Sequence, residues 1–156
     1  MIEPIGVSYA QYIADHQEMY PEAMREGIET WSKLLQHRMS WGFFGLTNEL
    51  EGWIIFTPDE IYPDDTAYCY DIAVLPHRQL RGLGQRLWLI GCLEMRWRGL
   101  NIRAHCRKTS YHLLSTKHPG YKLAFDVLRP NHYNKEYETD QINEDAHEIL
   151  LKVIGA

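Results

Sequence analysis

Cysteine is scarce in this chain: Cys69, Cys92 and Cys106 are the three in 156 residues, with no Cys-x-x-Cys pair. An odd, widely spaced set excludes a disulfide framework and points to free thiols in a reducing cytoplasm. Long apolar runs are missing too. None approaches the ~18 residues that a bilayer span needs, and the N-terminus lacks the basic-then-apolar pattern of a signal peptide. The expectation is a soluble, cytoplasmic protein with no membrane contact. Eight histidines include no His-x-x-x-His and no repeated ligand spacing, so no metal site is expected. The net charge of −5, with no basic stripe, argues against a nucleic-acid partner. Repeats, linkers and low-complexity segments are absent, which predicts one domain over residues 1–156.

What is present supports a packed core: 45% of the residues are hydrophobic, with five Trp and ten Tyr as bulky filling. A weak strand over Ile2–Val7 precedes a helix over Tyr9–Met19. Pro21 suits the first turn of a second helix running to about Met39, with Met24, Ile28, Trp31, Leu34 and Leu35 at helical spacing. Trp41–Thr47 and Trp53–Thr57 read as a hairpin around Asn48–Gly52, and Pro58–Asp65 as a polar loop. Strands follow over Tyr68–Leu75, Ile102–Cys106, Tyr121–Leu128 and Ala146–Ile154. Helices fall over Gln85–Arg98 and from Thr109 or Ser110 to about Lys117. The polar segment Arg129–Asp145 is long for a connection and reads equally as a lid or a solvated loop.

The most telling stretch is Gln79-Leu80-Arg81-Gly82-Leu83-Gly84, between the strand ending at Leu75 and the helix after it. A two-glycine loop opening a helix presents several backbone N–H groups to one anion, and the helix dipole adds positive character. Leu87 stands where a dinucleotide fingerprint needs its third glycine, and the Gly-Lys-Ser/Thr of a P-loop is missing. The loop instead resembles the Gln/Arg-x-x-Gly-x-Gly/Ala signature of the GCN5-related N-acetyltransferases, through Gln79, Gly82 and Gly84. Ile72-Ala-Val-Leu-Pro76 resembles the family's preceding strand, which ends in Val-x-Pro. The element order β-α-α-β-β-β-α-β-α-β-β extends the resemblance over nearly the whole chain. It implies an α/β (α+β) fold of one domain, with a mixed, mostly antiparallel central sheet flanked by helices.

The resemblance also implies a reaction: direct attack of an amine on acetyl-CoA, the acceptor being a small amine, a protein N-terminus or a lysine. Leu80, Arg81, Gly82, Leu83, Gly84 and Gln85 would hold the pyrophosphate with backbone amides, Gln79 and Arg81 flanking it. The pantetheine arm would pair with Ala73, Val74 and Leu75 where the central strand splays from the next, and the Val74 N–H would polarise the thioester carbonyl. Asp71 is the expected base, with Tyr70 as second candidate if a bulge alters the strict alternation that separates them. His16, Glu18 and Tyr20 fall where family members border the acceptor. Many members carry Tyr-x-x-x-Gly-Phe after the fourth helix, and that tyrosine protonates the departing sulfur. Here Thr116 takes its place, and Thr109 replaces a frequent asparagine. A threonine hydroxyl is a shorter and far weaker acid. The proton donor is then Thr116 through water, His112 one turn earlier on the same helical face, or neighbouring Ser115 or Tyr111. Thr116 also keeps open a non-enzymatic reading, an acyl-CoA-binding or structural protein on this fold. Asn131-His-Tyr133 and Glu144-Asp145-Ala146 resemble the ends of N-terminal and ribosomal-protein acetyltransferases, with Tyr133 and Tyr137 candidates for an acceptor groove. Homodimers are common in the family, though no segment here marks an interface.

Overall fold

The structure is a computed structural model. It describes residues 1–79 and 81–104, and as backbone 105–107, 123–130 and 146–153. The chain forms two compact units, one of Met1–Thr57 with Tyr70–Gly91, the other of Pro58–Cys69 with Cys92–Ala156.

The first unit opens with β1 (Ile2–Pro4), α1 (Ala10–Asp15) and α2 (Ile28–Leu35), followed by β2 (Ser40–Phe44) and β3 (Leu50–Pro58). It also holds the second half of β4 (Thr66–Val74) and the start of α3 (Leu83–Trp97). β1 pairs antiparallel with β2 (Ile2↔Phe43) and β2 with β3 (Ser40↔Ile55), with a register shift at Phe43/Phe44. β3 then neighbours β4. The run Gly52-Trp53-Ile54-Ile55-Phe56 is buried throughout, as expected of a strand covered on both faces. Alternation sends Trp53 and Ile55 into a core with Ile13, Trp31 and Leu35. On the other face, α3 lies close enough that a Cβ at Gly91 would stand 2.6 Å from the Phe56 ring and 3.0 Å from Ile54.

The helical layer is shorter than its periodicity suggests. α1 stops at Asp15 because His16 leaves helical geometry (φ −124°, ψ 56°). The expected second helix breaks into a 3₁₀ turn at Glu22–Met24 and α2, since Arg25 is extended and Gly27 caps α2 from an extended conformation. The buried amide of Gln17 holds this path. Its Nε2 donates to the carbonyls of Ala14 (2.9 Å) and Glu26 (2.7 Å), and its Oε1 accepts from the Glu26 N–H (2.9 Å) and Trp31 Nε1 (3.3 Å). The hairpin turn also lies earlier than expected. The Gly45 N–H donates to Glu49 O and the Asn48 N–H to Gly45 O, both at 3.0 Å, so Glu51 and Gly52 belong to β3.

In the second unit the first half of β4 pairs parallel with β5 (Asn101–Arg107), which pairs antiparallel with β7 (Ala146–Val153). β7 pairs antiparallel with β6 (Leu123–Pro130), with a register shift at Phe125/Val127. The parallel step from β4 to β5 needs a crossover, and α3 provides it. Gly99, at φ 74°, closes α3, and the Leu100 N–H returns to Met95 O (2.9 Å). The predicted helix from Thr109 or Ser110 to Lys117 and the segment 131–145 lie outside the described residues.

Candidate functional site

Three side chains from distant parts of the chain meet in the first unit. The Tyr20 hydroxyl donates to Asp71 Oδ2. Trp53 Nε1 donates to the same oxygen at 2.9 Å and stands 3.1 Å from the Tyr20 oxygen. Tyr20 comes from the connection between α1 and α2, Trp53 from β3 and Asp71 from β4. The Tyr20 ring stacks near Trp31 (6.1 Å between centroids), and Tyr70 meets Trp31 edge-on at 6.4 Å. Strict alternation would separate Tyr70 from Asp71, yet both reach the Tyr20–Trp31 pair.

Burial pushes the Asp71 carboxyl from its ordinary 3.8 up to about 6, although hydrogen bonds from Tyr20, Trp53 and the Ile72 backbone hold it down. Near neutral pH it is therefore mostly ionised, with a proton affinity suited to taking a proton. Burial and the adjacent Asp71 charge push the Tyr20 phenol far above its ordinary 10.0.

Farther along β4 the chain turns at Pro76–Arg78 into the two-glycine loop. Gly82 takes φ 77°, and among the described residues a Cβ there would meet nothing within 4 Å. The first α3 bond runs from the Arg86 N–H to Gly82 O (3.1 Å). The N–H groups of Leu83, Gly84 and Gln85 precede it and have no partner within the helix. Leu83 is buried and anchors the turn, while Arg81 and Gln85 are exposed. A phosphate fits this arrangement of helix-initial N–H groups, a left-handed glycine and an exposed guanidinium. The helix starts two residues earlier than its sequence pattern suggested, so Leu83 and Gly84 are its first residues.

Some expected contacts are already committed. Gln79 Nε2 turns back to Val74 O (3.0 Å), the Leu75 N–H donates to Glu51 O (2.9 Å), and Leu75 O accepts from the Arg78 N–H (2.8 Å). The parallel ladder of β4 with β5 runs from Thr66↔Asn101 to Cys69↔Ala104, and β4 continues to Val74. Among the described residues, no group of three His, Cys, Asp or Glu is placed to hold a metal, and no helix is long and apolar enough to cross a membrane.

No protein-family model and no curated protein matches the chain. Solved structures do. The ribosomal-protein-S18-alanine N-acetyltransferase from Escherichia coli aligns with a TM-score of 0.71 over 100% of this chain and 95% of that one, at 20% identity. The diaminobutyrate acetyltransferase from Paenibacillus lautus, solved with L-2,4-diaminobutyric acid and coenzyme A, gives 0.75 over 100% and 96%, at 11% identity. A ribosomal-protein-alanine N-acetyltransferase from Brucella melitensis gives 0.69 over 99% of each chain, at 12% identity. This chain has the fold of the GCN5-related N-acetyltransferases.

Within that N-acetyltransferase fold the structure brings Asp71 and Tyr70 together around Tyr20, and sets Ala73, Val74 and Leu75 at the end of β4. Gln79, Arg81, Gly82, Leu83, Gly84 and Gln85 form the turn into α3. Leu80, His112 and Thr116 lie outside the described residues. Periodicity did not reveal Trp53 and Gln17 as polar partners, because each reads as strand or helix filling. The available signal was chemical: a buried indole N–H or side-chain amide needs a partner.

Proposed function

We propose that the protein is an acetyl-CoA-dependent N-acetyltransferase acting in the cytoplasm on an amine acceptor. The observation that carries this is the two-glycine turn after β4, on a fold shared with N-acetyltransferases solved with coenzyme A. There, Gly82 at φ 77° and three helix-initial N–H groups suit a pyrophosphate. Bound acetyl-CoA supplies an activated acyl group with a thiolate leaving group. The chain's own part is to hold the phosphates at Leu83, Gly84 and Gln85 and to take a proton from the amine at Asp71, with Tyr70 beside it. The acceptor is a small amine, a protein N-terminus or a lysine. The neighbours act on ribosomal-protein alanine and on diaminobutyric acid, both through an amino group.

Calorimetric titration with acetyl-CoA, then thiol release with a panel of amines, tests the reading. Binding with amine-dependent release is expected. Gly82→Val should abolish binding, since a branched residue is strained at positive φ and fills the space where the phosphate would sit. Retained tight binding in that variant would remove the phosphate role of the loop. Binding without release from any amine would favour a protein that binds acyl-CoA without turnover.

A further inference from the structure

One oxygen of Asp71, Oδ2, is already taken up by two donors. A carboxylate oxygen offers two lone-pair directions. Both on Oδ2 are engaged, one by the Tyr20 hydroxyl and one by Trp53 Nε1. The two donors differ in chemistry: an indole N–H only donates, whereas a phenolic hydroxyl gives one proton while accepting another. Tyr20 is also the more accessible of the two, being half-buried while Trp53 is fully buried. Its position is held from several sides. The Tyr20 N–H donates to Gln17 O (2.9 Å), Arg25 Nε donates to Tyr20 O (3.2 Å), and Trp31 lies beside the ring.

We propose that Tyr20 is the group that touches the attacking amine and relays its proton to Asp71. The inference rests on the acetyltransferase reading and on Asp71 as base. The amine nitrogen forms its bond to the thioester carbonyl carbon. As positive charge develops there, an N–H proton passes to the Tyr20 oxygen while the Tyr20 proton passes to Asp71 Oδ2. The C–S bond then breaks, its electron pair leaves on sulfur, and the proton held at Asp71 returns through solvent to that thiolate. The products are an amide and coenzyme A. Both transfers occur together, so Tyr20 never becomes a free phenolate. That is what its burial beside a carboxylate requires, because the phenol lies far above its ordinary 10.0. Around the pair, Trp53 comes from β3, Trp31 from α2, and the Ile72 N–H and Tyr70 from β4. Among these described neighbours, Tyr70 carries the one ionisable side chain.

The test is kcat against pH, with solvent isotope effects, for the wild type, Tyr20→Phe and Asp71→Asn. Acetyl-CoA affinity serves as the check on folding and donor binding. Tyr20→Phe should lower the plateau kcat by ~100-fold or more, the range of a lost proton-transfer group, with acetyl-CoA affinity unchanged. The wild type should show a two-proton inventory, curved in the fraction of heavy water. If Tyr20→Phe only moves the acidic limb and keeps the wild-type plateau, the relay is overturned and Tyr20 merely positions Asp71. Should the phenylalanine variant fail to fold, fluorotyrosine at position 20 replaces it. A changed plateau supports the relay, and an unchanged plateau and inventory overturn it. Wild-type turnover in Asp71→Asn would remove the base itself. Failure of the wild type to bind acetyl-CoA would instead remove the acetyltransferase reading.

Discussion

At the scale of single residues, Glu51 links the hairpin to the turn before the two-glycine loop. Its side chain is buried at 5% exposure, and Arg78 Nε stands 2.9 Å from Oε1. The contact is an ion pair rather than an aligned hydrogen bond, since among the described residues Arg78 Nε has no hydrogen-bond partner. Gly45 makes room for the carboxylate: a Cβ there would overlap Oε1 and lie 2.6 Å from Cδ. Gly45→Ala must therefore displace the buried carboxylate that pairs with Arg78. The expected loss is about 1–3 kcal/mol, as for other overpacked sites. Acetyl-CoA should also bind more weakly, because Arg78 leads directly into Gln79 and the loop. Gly6→Ala is the control: it has nothing within 4 Å and an ordinary φ of −130°. Equal urea midpoints for the two variants would show that Glu51 yields easily, and the proposed link to the loop would fail.

At the scale of elements, the polar segment after β3 proves to be a stapled turn. Asp59 is 1% exposed, and its Oδ2 accepts from the N–H groups of Ile61 and Tyr62, both at 3.0 Å. Oδ1 takes Arg103 Nε at 2.7 Å, and the Arg103 guanidinium lies 4.9 Å from the centre of the Tyr68 ring. Asp59→Ala removes the carboxylate from beside the Arg103 guanidinium and from two amides together. Breaking such a pair typically costs about 3–5 kcal/mol, and hydrogen exchange at Ile61 and Tyr62 should quicken. Amide protection equal to wild type would mean the turn holds without its carboxylate. None of this was legible in a run of Pro, Asp and Tyr, because the partner Arg103 is 44 residues away. The same limit explains the candidate site. The strand to Val74, the turn at Gly82 and helix α3 were legible, since apolar alternation and glycine placement are local patterns. The Tyr20–Asp71 contact spans 51 positions, and no periodicity encodes it. The α1–α2 connection was misread as helix for a related reason: Gln17 satisfies backbone groups around Glu26 through a side chain, which helical spacing does not register.

At the scale of the whole molecule, Asp71 ties stability to pH in the direction opposite to most native carboxylates. Its folded pKa is raised from 3.8 to about 6, so the folded state binds this proton more tightly than the unfolded chain. The stabilisation it gives is fully present below about pH 4, where both states are protonated, and is lost as pH rises through about 6. The remaining carboxylates superimpose their own pH dependence, so the wild-type curve alone does not isolate the effect. The difference between the wild type and Asp71→Asn does, because the amide keeps the shape and loses the titration. Thermal melts of both proteins from about pH 4 to 8 should show the Asn variant gaining relative to wild type up to about pH 7, then running parallel. Curves parallel throughout would mean that Asp71 titrates normally and that burial does not set its affinity. If the gain appears, the ionised carboxylate weakens the fold under the conditions in which a base must be deprotonated. Activity should then rise with pH over the interval in which this stabilisation falls, both following one proton on Asp71.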